Sequence, residues 1–127
     1  MSRPLPLRSE QLPDDTTVVV RAGVMSADNV RRAAERTFGI YAVHGISVVG
    51  VLDTTVQATC RDERIAGYRR VRFSTFGRVR RAGFALLATF DRPHFTLVLP
   101  DLSELTLTRI DRCFDAPIPN PGQPPGG

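Results

Sequence analysis

The chain has 127 residues, 42% of them apolar and 24% charged, with a formal net charge of +4. That length supports one hydrophobic core but not two, and the apolar fraction excludes wholesale disorder. No run approaches the ~18 apolar residues of a membrane span, and Met1-Ser2-Arg3-Pro4-Leu5-Pro6 lacks a secretory apolar stretch, so a cytoplasmic protein with no membrane partner is expected.

Residues 1–15 carry Pro4, Pro6 and Pro13 without periodicity and read as an extended lead-in. Thr16 to Arg21 is a β-branched run and the first predicted strand. Ser26 caps a helix to about Phe38, with Ala27, Val30, Ala34 and Phe38 on one stripe and Gly39 as its stop. Ile46 to Val51 is a second strand, too continuously apolar to have a solvated face. Asp53 opens a helix to about Arg64, on which Val56 and Cys60 lie one turn apart. Val71-Arg72-Phe73 is a short third strand, and Ser74 or Thr75 caps a brief helix from Phe76 to Ala82, stopped by Gly83. Phe84 to Thr89 and His94 to Leu99 are the last two strands, the latter bracketed by Pro93 and Pro100. Asp101 and Glu104 match a capping box for a helix to about Phe114. Its Leu102, Leu105, Leu107, Ile110, Cys113 and Phe114 cover about half the circumference, which predicts deep packing. Residues 116–127 hold five prolines and three glycines and are expected to be a disordered tail.

Residues 16–115 therefore read as a single α/β or α+β domain, in the order β-α-β-α-β-α-β-β-α with about four helices. Its strand–helix–strand crossovers predict parallel pairing, and the hairpin across Phe90-Asp91-Arg92 adds an antiparallel edge, giving a mixed five-strand sheet.

All 17 basic residues are arginine. Arg69, Arg70, Arg72, Arg78, Arg80 and Arg81 fall within thirteen residues that contain no acid, while the other 11 arginines face 13 acids. The positive excess is thus local, as an anionic partner would require. Ser74 and Thr75 sit at a strand-to-helix turn, where free N–H groups and hydroxyls could hold a phosphate beside the arginines. Tyr68 and Phe73 could offer stacking surfaces. The competing reading makes Ser74 an ordinary cap, the aromatics core, and the arginines a solvated face paired with acids.

His94 follows Pro93 at a strand start, and His44 precedes the second strand. If those strands are neighbours, both imidazoles could line one rim and serve as base and acid in metal-independent RNA cleavage. Cys60 and Cys113 read as buried free thiols, and the gaps separating His44, Cys60, His94 and Cys113 do not have metal-ligand spacing. No metal or other cofactor is implied. Phosphate-loop, dinucleotide, zincin and hydrolase-elbow motifs are absent.

Arg21 at one strand end and Ser74-Thr75 at another loosely resemble the arrangement of ADP-ribosyltransferase-like folds, although His94 stands where that family places a glutamate. The size, arginine-rich style and architecture resemble small proteins of actinobacterial toxin–antitoxin and defence operons. The leading expectation is a domain that engages RNA or another polyanion through the basic segment, in the manner of a toxin-like ribonuclease. The alternative is a non-catalytic regulatory module with an acidic protein partner.

Overall fold

A computed structural model describes residues 3–124. Its seven strands are β1 (Arg8–Ser9), β2 (Thr17–Arg21), β3 (Gly45–Gly50), β4 (Arg70–Thr75), β5 (Ala85–Ala88), β6 (His94–Val98) and β7 (Ile118–Pro119). The helices are α1 (Ala27–Tyr41), α2 (Val56–Cys60), α3 (Glu63–Ala66), α4 (Phe76–Arg81) and α5 (Glu104–Arg112), with a 3-10 turn over Ala22–Met25. The five expected strands are present, but they belong to one seven-strand sheet of order β1-β5-β6-β3-β2-β4-β7.

Every pairing is antiparallel. This corrects the expected mixed five-strand sheet: the fold is α+β. A strand–helix–strand segment makes parallel neighbours only if the helix returns the chain to the end where the first strand began. Here Val19 pairs with Val49 and Val20 with Arg72, so β3 and β4 run back from the same sheet end at which β2 finishes. Hydrophobic periodicity carries no record of that choice.

The pleat divides the sheet into two unequal faces. Val18 and Val20 of β2, Ile46 and Val48 of β3, and Phe95 and Leu97 of β6 join the main core. Against them pack Val30 and Ala34 of α1, Phe76 and Val79 of α4, and Leu107 and Ile110 of α5. Each fully buried aliphatic side chain of this set contributes on the order of 1.5–3 kcal/mol of transfer free energy. On the other face, Val19, Val49 and Val71 form a smaller cluster with Cys60 and Ile65 beneath α2 and α3. Cys60 and Cys113 therefore lie in separate clusters, both as free thiols.

Three helix boundaries differ from expectation for local reasons. Helix α1 runs through Gly39 to Tyr41 and stops at Ala42, which takes the left-handed conformation (φ 61°) and donates its N–H to Phe38 O. The single helix expected from Asp53 to Arg64 is two short ones, because the Asp62 carboxylate accepts the Arg64 N–H and restarts the chain as a new cap. Helix α5 is capped by Ser103 rather than Asp101. Asp101 instead accepts from the hydroxyls of Ser103 and Thr106, both at 2.6 Å, and these bonds lower its carboxyl to about 2.

Leu105 departs from the predicted apolar face of α5. It is 75% exposed, whereas Ile110 is fully buried. At 100° per residue, Leu105 stands about 140° from Ile110 around the helix, outside the stripe that Leu107 shares.

The chain beyond Asp115 is also ordered against the domain as far as it is described. Ile118 and Pro119 pair with Val71 and Arg70 as an edge strand, a place where a proline costs no ladder hydrogen bond. Asn120 is buried, and its Nδ2 donates to Ile65 O at 3.1 Å and Tyr68 O at 2.8 Å. The expectation of a disordered tail is thus corrected over residues 116–124, while 125–127 lie outside the described residues. In the lead-in, Arg8 and Ser9 pair with β5. Among the described residues no helix is long and apolar enough to cross a membrane.

Candidate functional site

The basic segment spans β4 and α4, and the pleat disperses it. Val71 and Arg72 face opposite sides of the sheet, so Arg72 and Ser74 point into the helical layer. Arg72 is buried, and its guanidinium closes the C-terminal end of α5. Nε donates to Asp115 O at 2.8 Å, Nη1 to the Asp111 carboxylate at 2.6 Å, and Nη2 to Asp111 O and Phe114 O at 2.8 and 2.9 Å. A cation at a helix C-terminus meets both the dipole and the orphan carbonyls. Ser74 Oγ, likewise buried, donates to Cys113 O at 2.6 Å. Thr75 accepts the Arg78 N–H at 3.2 Å as the cap of α4.

The remaining arginines of the segment are also mostly engaged. Arg78 pairs with Asp115 at 2.8 Å, and Arg80 pairs with Asp14 while donating to Leu12 O at 3.0 Å. Arg81 lies 3.9 Å from the same Asp14, and Arg70 approaches Pro117 O at 3.5 Å. Arg69 is exposed. The expected phosphate cradle of Ser74, Thr75 and the arginines does not form, because its central groups are committed to holding α4 and α5. Acids distant in sequence, Asp14, Asp111 and Asp115, supply the counter-charges that the segment itself lacks. Phe73 is half-buried in the smaller core cluster, while Tyr68 is exposed.

The two histidines separate as well. Strands β3 and β6 are neighbours, but their antiparallel register sets Gly45 against Val98 and Val49 against His94. His44 and His94 therefore stand at opposite ends of the ladder, about 17 Å apart at 3.4 Å per residue. His44 stacks on Phe38 with ring centroids 4.7 Å apart. An acid–base pair of these two imidazoles is excluded by that separation. Arg21 and Ser74 are separated too: Arg21 pairs with Val71 at one end of the β2–β4 ladder, and Ser74 turns to the opposite face. The ADP-ribosyltransferase-like arrangement is not assembled.

His94 instead lines a cleft of about 380 Å³ on the thinly covered face of the sheet. Strand residues Arg21, Ser47, Val49 and His94 make its floor, and α3 with the following turn supplies Arg64 and Tyr68. The register places Arg21 beside Ser47, two strands and one pleat repeat from His94, or about 12 Å between backbones. Side chains from both ends of that span line the one cleft.

Thr89 orients the imidazole. Its buried Oγ1 lies 2.9 Å from His94 Nδ1, donates to His94 O at 3.1 Å, and accepts the Asp91 N–H at 3.2 Å. The hydroxyl thus bridges the imidazole and the His94 carbonyl and fixes the plane of the ring. Burial, reinforced by the Arg64 charge, pushes the His94 pKa below the ordinary histidine value against the opposing pull of Asp91 and Asp62. The ring is therefore neutral at neutral pH and able to accept a proton.

Two arginines differ in this cleft. Arg64 is neutralised, with Nη1 at 2.9 Å from both Asp62 oxygens and Nη2 on Asp91. Arg21 makes no ion pair among the described residues. Its guanidinium lies 4.6 Å from the Tyr68 ring centroid and donates to the Tyr68 hydroxyl. Sequence reasoning assigned neither Arg64 nor Asp91 to a site. The legible signal for Asp91 was its place three residues before His94 in a hairpin, and for Arg21 its place as the polar end of an apolar strand.

No protein-family model, no curated protein and no solved structure matches the chain.

Proposed function

We propose that the protein engages a phosphate-bearing nucleotide ligand, free or within RNA, in the cleft that joins Arg21 and Tyr68 to His94. The observation that carries this reading is the convergence of an arginine without a carboxylate partner, an exposed aromatic ring and a neutral histidine on one concave surface. Arg21 offers charge-assisted donors to a phosphate, and the exposed Tyr68 ring offers a face to a base. When RNA supplies the ligand, the neutral His94 imidazole takes the 2′-hydroxyl proton as that oxygen attacks the adjacent phosphorus. Arg21 meets the charge that builds on the phosphoryl oxygens, and the departing 5′-oxygen takes its proton from water.

Titration calorimetry with AMP and a short RNA at ~50 mM salt tests the binding reading, since phosphate contacts are strongest at low ionic strength. Arg21→Gln is expected to weaken both ligands about tenfold, the loss of one charge-assisted contact. His94→Ala should retain binding and abolish cleavage of the RNA. Absence of binding by either ligand overturns the proposal and leaves the alternative of a protein partner.

A further inference from the structure

The cleft continues past Tyr68 into a second hollow of about 320 Å³, in which Arg21 and Tyr68 meet Asn29, Arg32 and Arg36 of α1. Residues 29, 32 and 36 follow the i, i+3, i+7 spacing of one helix stripe, so their side chains project together. Arg32 and Arg36 are exposed and, like Arg21, make no ion pair among the described residues. Asn29 is anchored, its Nδ2 donating to Gly23 O at 2.7 Å, which leaves its amide oxygen and the three guanidinium groups around the hollow. The one acid on the first turn of α1, Asp28, lies on the neighbouring stripe and approaches Arg31 instead, at 4.0 Å.

Three arginines without carboxylate partners around one concavity repel one another and lack only an anion to offset that repulsion. Their arrangement contrasts with Arg72, Arg78 and Arg80, where acids and carbonyls already occupy the guanidinium groups. We infer that the Arg21–Arg32–Arg36 hollow is a second phosphate subsite, so that the ligand of the cleft carries at least two phosphate groups. This inference rests on the nucleotide reading of the cleft. Arg21 stands between the two subsites and serves both, while Arg32 and Arg36 serve only the outer one. The second phosphate has two chemical sources, a diphosphate chain or the next phosphodiester of an oligonucleotide, and the subsite's guanidinium groups recognise either.

Calorimetry with AMP, ADP, the dinucleotide pApA and inorganic pyrophosphate separates the possibilities. ADP or pApA should bind the wild-type protein about tenfold more tightly than AMP, because one further phosphate gains charge-assisted hydrogen bonds. Whichever of the two shows the gain identifies the source of the second phosphate. The double variant Arg32→Gln/Arg36→Gln should lose that gain while binding AMP within twofold of wild type. Equal affinity for AMP, ADP and pApA in the wild-type protein overturns the subsite and leaves the cleft reading intact. If AMP fails to bind, pyrophosphate binding that is lost in the double variant supports the subsite alone. Failure of AMP, ADP, pApA and pyrophosphate together overturns both.

Discussion

Replacing Arg72 with methionine retains most of its buried stem and removes the guanidinium. Four hydrogen bonds disappear, one to the Asp111 carboxylate and three to the carbonyls of Asp111, Phe114 and Asp115. Individually, bonds to a charged group contribute about 1.5–3 kcal/mol, but these share one donor group and end on a helix terminus that water can partly reach. Their sum is therefore an overestimate, and a loss of about 3–5 kcal/mol is expected, the range for stripping one partner from a buried ionic contact. Lysine at the same position keeps the charge but lacks the planar fork, so Arg72→Lys should fall between wild type and Arg72→Met. Urea titration followed by far-UV circular dichroism measures both. Arg69→Gln provides the contrast, since that exposed side chain should change stability by less than about 0.5 kcal/mol. A loss below about 1 kcal/mol for Arg72→Met would refute the assignment of this arginine as the clamp on α5 and return it to the pool of groups free to bind an anion.

On α5, Leu105→Ala should cost no more than about 0.5 kcal/mol by denaturant titration, whereas Ile110→Ala should cost about 2–5 kcal/mol. Asn120→Ala removes both donor bonds that hold the final segment to Ile65 and Tyr68, and a loss of about 1–3 kcal/mol is expected because one buried and one half-buried carbonyl each lose a donor. A drop within error would show that this segment does not support the α3 turn. His94 binds a proton less readily in the folded protein than in the unfolded chain, where it titrates near pH 6.5. Its contribution is therefore complete above about pH 6.5 and declines as the pH falls through the unfolded value toward the lower folded one. Stability measured from pH 7.5 to 5 should fall more steeply for wild type than for His94→Gln. Parallel curves would show that the ring is not held neutral by its surroundings.

The five inner strands of the sheet and the starts of α1 and α4 are written locally. The β-branched run at 17–21 and the caps Ser26 and Thr75 act over a few residues, so their signals survive in the linear chain. The six arginines between Arg69 and Arg81 were equally visible, but their roles were not. Whether a guanidinium is free depends on the acids and carbonyls brought beside it, and those of Arg72, Arg78 and Arg80 come from 37 to 66 positions away. Strand direction had the same character. Adjacent β3 and β6 would have joined His44 and His94 had they been parallel, and the antiparallel register carries the two rings to opposite ends. The cleft also draws Arg21, Arg64 and His94 from separate elements, each unremarkable in its own segment. Local propensity and pattern are short-range and set the elements; the partners of each charge follow from chain reversals whose free energy is spread over the whole core, and only the assembled fold decides them.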